Sequence, residues 1–144
     1  MILGREAIAR LIPHAGAMCL LDTVEEHDAQ GIVCTTRAHV SPTNPLRRDG
    51  RLSSVHAIEF AAQATAVHGA LNMPPHSPPQ PGMLVSVRRC ELHCESLDAH
   101  AGALVISARR LAGGAELSMY DFTVASQEGC LVSGRLSIFT GAPA

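Results

Sequence analysis

The sequence predicts an α+β fold in which a curved antiparallel β-sheet wraps one long central helix. Three observations carry this expectation. Ser53 to Leu71 (SSVHAIEFAAQATAVHGAL) is free of proline, rich in small apolar residues and long enough for a core helix. Four later stretches alternate or run apolar at strand length, with turn residues between them. The chain has 144 residues, 47% of them hydrophobic and 17% charged, which is enough to close one core, so residues 1–144 read as one domain. A sheet must bury its apolar face, and this helix is the element that suits it.

Each element has a local reason. Gly4 to Leu11 has helical spacing and stops at Ile12-Pro13, because proline disfavours helix in the residue before it. Met18 to Glu25 and Gly31 to Val40 read as two strands around a polar turn at His27 to Gln30. Ser41 to Arg51 is a loop, with turn chemistry at Pro42, Pro45 and Asp49-Gly50. The long helix follows, opened by serine and ended near Gly69 and Asn72. Asn72 to Gly82 carries five prolines and is an extended crossing. Met83 to Glu95, Ala103 to Arg110, Glu116 to Ser126 and Cys130 to Thr140 are the remaining strands, with hairpin turns at Gly113-Gly114 and Glu128-Gly129.

Composition narrows the function. The formal net charge is −2, and the arginines fall in scattered pairs (Arg47-Arg48, Arg88-Arg89, Arg109-Arg110), not in the basic stripe of a nucleic-acid binder. No apolar run is long enough for a membrane span and the N-terminus lacks signal-peptide layout, so a cytoplasmic protein is expected. Cys19, Cys34, Cys90, Cys94 and Cys130 are odd in number and lie mostly in strand-like runs, which reads as free thiols. Cys90 and Cys94 share one strand face while His93 points to the other, and no second pair completes a zinc site. Neither metal nor cofactor is expected.

The helix that should be wholly apolar carries His56, Glu59 and Gln63 on one face of successive turns. A carboxylate in apolar surroundings is costly unless it is paired or its pKa rises, and a carboxyl group so shifted suits acid–base catalysis near neutral pH. The alternative is that Glu59 faces solvent or a subunit, with His56 its neighbour and Gln63 a satisfied core amide. The free N–H groups at the helix start, Ser54 to His56, form a site for a carbonyl oxygen one turn from Glu59. Glu59 and His56 are thus the candidate catalytic residues, and Ser54, Val55 and Gln63 the candidate substrate-binding ones. Arg47 and Arg48 read first as a solvated loop pair and second as a contact for a ligand phosphate. His39, His76, His93 and His100 read as surface or satisfied-core residues, and His68 lies off the polar face.

Two segments carry a family resemblance. LIPHAGAMCLLDTV, Leu11 to Val24, resembles the opening L-P-H-R-x-P-M-L-L-V-D-x-V segment of 3-hydroxyacyl-acyl-carrier-protein dehydratases, and VHAIEFAAQATAV, Val55 to Val67, resembles their central I-x-E-x-x-A-Q-A helix. The resemblance implies the hotdog fold, a long helix rolled in an antiparallel sheet. It puts Glu59 in the place of the catalytic carboxylate, Gln63 in that of the helix glutamine, and His14 in that of the opening histidine, which looks structural. The implied reaction removes water from a 3-hydroxyacyl thioester on acyl-carrier protein: a histidine takes the C2 proton, the carboxylate helps the 3-hydroxyl leave, and a helix-start N–H binds the thioester oxygen.

The departure from that pattern is specific. The family's catalytic histidine sits in a Gly-His-Phe-Pro segment upstream of the helix carboxylate, where this chain has TNPLRRDGRL, Thr43 to Leu52, with no histidine. Ser53-Ser54 replaces the family's Pro-Gly at the helix opening. This resembles the divergent dehydratase-like subgroup of aryl polyene pathways, and it implies a partner hotdog subunit with the complete histidine–carboxylate pair. Three functions stay open: a dehydratase or dehydratase subunit, with His56 as a substitute base; an acyl thioesterase in which Glu59 activates water; and a non-catalytic acyl-binding or scaffolding subunit. Edge strands of such a wrap call for pairing, so at least a homodimer, or a heterodimer with another hotdog subunit, is expected.

Overall fold

The computed structural model describes residues 2–13, 16–74, 82–114 and 116–140. His14 and most of the proline-rich crossing, including His76, lie outside the described residues. The elements in order are β1 (Leu3–Gly4), α1 (Arg5–Leu11), β2 (Thr23–His27), β3 (Gly31–Thr36), α2 (Ala57–Leu71), β4 (Met83–Leu92), β5 (Leu104–Gly113), β6 (Leu117–Ser126) and β7 (Gly129–Phe139). One seven-stranded sheet runs β1-β2-β3-β5-β6-β7-β4, and each described pairing is antiparallel.

Strand alternation sets the two faces of the sheet. Ile32, Cys34, Ile106, Ala108, Phe122, Val124, Val132 and Leu136 point inward and are buried, whereas Arg109, Asp121, Thr123 and Arg135 point outward. Helix α2 lies on the inner face against β3, β5 and β6. Ala57, Ala61 and Ala64 are fully buried, which brings the helix backbone close to the strands, and Phe60 and Val67, also fully buried, pack beside them. Gly134 is required in β7: a Cβ there would come within 2.9 Å of the Phe122 ring and 3.3 Å of the Cys90 Cα.

The far end of α2 is fastened by a polar chain. His68 is 1% exposed, and its Nε2 lies 2.8 Å from the Asp28 carbonyl oxygen. A carbonyl only accepts, so Nε2 carries the proton and Nδ1 accepts from the Tyr120 hydroxyl at 2.7 Å. Burial pushes the His68 pKa down and that of Tyr120 up. Asn72 then closes the helix, its amide donating to the His68 carbonyl at 2.8 Å.

Two expected strands are shorter than their apolar runs. The run Met18 to Glu25 becomes strand only from Thr23, because Cys19, Leu20 and Leu21 are all buried. Three consecutive buried side chains do not fit a strand with one face open to solvent. The run Gly31 to Val40 ends as strand at Thr36, and Ala38–Val40 forms a single 3₁₀ turn that turns His39 into the core. β1 is an addition: two residues, Leu3 and Gly4, pair with Val24 and Thr23.

Candidate active site

Helix α2 does not begin abruptly. Ser54–His56 forms a 3₁₀ turn, capped by the Ser53 hydroxyl facing the Val55 N–H at 3.5 Å, and α-helix starts at Ala57. This turn decides which helix-start donors remain. The Ser54 N–H donates to the Glu95 carbonyl at 3.0 Å and the His56 N–H to the Ser53 carbonyl at 3.1 Å. Ser54 itself is 3% exposed. The expected carbonyl-oxygen site over Ser54 to His56 therefore narrows to Val55, which is 45% exposed and whose N–H, among the described residues, has only the long serine contact. Ser54 is a buried tie between the helix start and the segment after β4.

Glu59 lies in the first turn of α2 and is half-buried. Gln63 is 1% exposed, one turn further along. Its Oε1 accepts from the Leu20 N–H at 2.8 Å, which fixes the amide orientation. Its Nε2 then donates to the Met18 carbonyl at 2.7 Å and reaches Glu59 Oε1 at 3.4 Å. Gln63 thus forms a clasp that hangs the Met18–Leu20 segment on the helix and borders the Glu59 carboxylate. The apolar run Met18 to Leu21 holds this backbone beside Glu59 because it is suspended there and not laddered into the sheet. His56 is half-buried at the end of the 3₁₀ turn, and among the described residues no hydrogen bond or ion pair joins it to Glu59.

The loop before the helix is stiffened by a group that spacing did not flag. Arg47 donates from Nε to the Ser41 carbonyl at 2.8 Å and from Nη1 to the Gly50 carbonyl at 2.7 Å, with Asp98 Oδ2 at 4.0 Å. Asp98 Oδ1 accepts from the Leu52 N–H at 2.8 Å, and this bond, helped by Arg47, holds its carboxyl below the usual carboxylate range. Asn44, in the segment where the dehydratases place their histidine, is buried and donates to the Ala38 carbonyl at 2.8 Å. His39 is fully buried, and its Nε2 lies 2.7 Å from the His100 carbonyl. Arg47 is therefore a clamp inside its own loop, and Arg48 is exposed.

Among the described residues no group of three or more His, Cys, Asp or Glu side chains is arranged to hold a metal ion, and no helix is long and apolar enough to cross a membrane. Chemically, the arrangement offers one carboxylate and one directed N–H on adjacent helical turns, at the start of a helix under an antiparallel sheet.

Solved structures share this architecture. The dehydratase heterocomplex ApeI:P from Xenorhabdus doucetiae superposes with a TM-score of 0.83 at 23% identity, covering 94% of this chain and 91% of that one. Zebra fish thioesterase superfamily member 2 gives 0.63 at 14% identity, covering 95% of each chain. A mutant of the thioesterase SAV0944 from Staphylococcus aureus gives 0.59 at 12% identity, covering 81% of this chain and 90% of that one. These likenesses fix the fold as the hotdog fold. No curated protein is similar enough to count as a match. The family, however, is recognised from the sequence itself, because residues 6–143, almost the whole chain, match the ApeP-like family described as ApeP dehydratase. This chain belongs to the ApeP-like dehydratase family.

Proposed function

We propose that this chain is a dehydratase subunit acting on 3-hydroxyacyl thioesters presented by an acyl-carrier protein, in a pair with a second hotdog subunit. The observation that carries the reading is Glu59, bordered by Gln63 one turn after the Val55 N–H that the 3₁₀ turn leaves without a carbonyl acceptor. In this reading the Val55 N–H receives the thioester oxygen, which stabilises the charge that develops as the C2 proton leaves. Glu59 gives a proton to the departing 3-hydroxyl. The loop Thr43 to Leu52 supplies no histidine, and in this reading the C2 proton goes to His56 or to a histidine of the paired subunit. The naming of a heterocomplex for the similar ApeI:P structure favours the second source. The Gln63 clasp then serves the site by positioning Glu59, and the acyl-carrier partner follows from the substrate class.

The test is formation of the 2-enoyl thioester from a 3-hydroxyacyl-carrier substrate, with this chain alone and mixed with a hotdog dehydratase subunit that has the loop histidine. Glu59→Gln is expected to lower turnover about 10²- to 10⁴-fold, the usual contribution of a general acid. Dehydration indifferent to that change removes Glu59 from the mechanism. Release of free thiol in place of the enoyl product reassigns the pocket to thioester hydrolysis, as in the thioesterases that share the fold.

A further inference from the structure

β4 is one edge of the sheet: β7 is its neighbour on one side and, among the described residues, no strand lies on the other. Its first half is apolar and open, with Met83 64%, Leu84 39% and Val85 51% exposed. Its second half carries charge. Arg88 is in register with Arg135 of β7, and Arg135 with Asp121 of β6. Since Asp121 and Arg135 alternate with buried Tyr120, Phe122 and Leu136, this row lies on the outer face, while Val87, in register with Leu136, faces inward. Asp121 is already engaged by Arg135, whose Nε donates to it at 2.9 Å. Among the described residues no carboxylate lies in ion-pair range of Arg88. Arg89 follows at φ 54 in a β-bulge.

A second copy joining edge to edge across a two-fold axis would bring β4 against itself antiparallel. The registers that use most of the strand and keep inner residues opposite inner ones are centred on Val87 or on Arg88. Centred on Arg88, the two Arg88 side chains stand directly opposite, about 5 Å apart at Cα. Centred on Val87, each Arg88 faces Ser86 of the other copy and lies diagonal to its Arg88, about 7 Å away on the same face. Either way two Arg88–Arg135 pairs abut on the outer face with no carboxylate between them. Like charges so placed oppose association, whereas a carboxylate opposite Arg88 would make a charge-assisted, bidentate contact.

We infer that Arg88, backed by Arg135, selects the pairing partner of this chain: it works against a second copy across β4 and for a hotdog edge strand with a carboxylate in the facing position. The inference rests on the proposal above that the chain works as one of a pair, and it adds the chemistry of the partner strand. The apolar Met83–Val85 segment supplies adhesion that does not discriminate, and Arg88 supplies the discrimination.

The test is sedimentation of the full chain over a range of concentration and salt, with Arg88→Ser and Val85→Lys, each checked for an unchanged circular dichroism spectrum. Arg88→Ser is expected to tighten self-association by tenfold or more. Wild type should associate more tightly as salt rises, because screening relieves repulsion, while Arg88→Ser should lose that dependence. Val85→Lys should weaken association of every form. If Arg88→Ser associates no more tightly than wild type while Val85→Lys still weakens it, the edge is the interface and the selection by Arg88 is wrong. If Val85→Lys changes nothing in any form, β4 is not the pairing edge and the paired reading falls first. A tight wild-type homodimer insensitive to salt overturns the inference as well.

Discussion

Gln63 shows how much one side chain settles here. Its amide meets a buried backbone donor at Leu20 and a part-buried backbone acceptor at Met18, so Gln63→Leu leaves two polar groups without partners. The expected loss is about 2 kcal/mol or more, read as a lower urea midpoint at unchanged slope. Gln63→Glu keeps an acceptor for Leu20 but sets a second carboxylate beside Glu59 and offers nothing to Met18. It should therefore be less stable at pH 7 than at pH 5 relative to Gln63→Leu, and equal behaviour at both would contradict the clasp. The sequence showed that Gln63 shares a helix face with Glu59. It did not show the clasp, because both contacts are to backbone atoms far along the chain, and backbone atoms leave no residue-type signature.

At the scale of elements, the loop from Arg37 to Leu52 is tied to the segment after β4 by two groups that titrate at different pH. Burial pushes the His39 pKa down, so the unfolded chain binds its proton more readily than the folded one. Stability is complete above the unfolded value of about 6.5 and falls as pH drops from there toward the lowered folded pKa. His68 adds in the same direction. Asp98 acts later: its depressed pKa contributes stability above about 3.9 that is lost as pH falls through the folded value. Thermal midpoints should decline in two stages, first as pH falls below about 6.5 and again below about pH 4. His39→Gln, which keeps a donor for the His100 carbonyl, should shrink the first stage and leave the second.

Elements were also what the sequence revealed best. The Ser53–Leu71 helix and the four strands after the crossing could be read from period and punctuation, since burial on one side of a repeating element leaves a periodic trace. The ends of the two early apolar runs could not, because Cys19 to Leu21 are buried by suspension from Gln63 and Thr36, and not by a repeating geometry. Asp98 was equally hidden: its partners, Leu52 and Arg47, are brought to it by the sheet, and no spacing links them.

For the whole molecule, the open edge matters more than the core. A chain whose apolar edge strand is completed by a partner gains stability by mass action, so its thermal midpoint should rise with partner concentration. Melting with increasing amounts of a hotdog subunit that carries the loop histidine measures this. A midpoint that stays flat would describe a chain that completes its own sheet. In the proposed pair, the Glu59 turn would come from this chain and the base from across the seam.

The Tyr120–His68 contact has a practical side. Tyr120 is the chain's single tyrosine and there is no tryptophan. Near-ultraviolet dichroism and fluorescence therefore come mainly from one ring wedged between α2 and β6, with its hydroxyl bound to an imidazole. The protein carries its own optical label at the helix–sheet seam, and a tryptophan in any added subunit would be seen against an almost dark background.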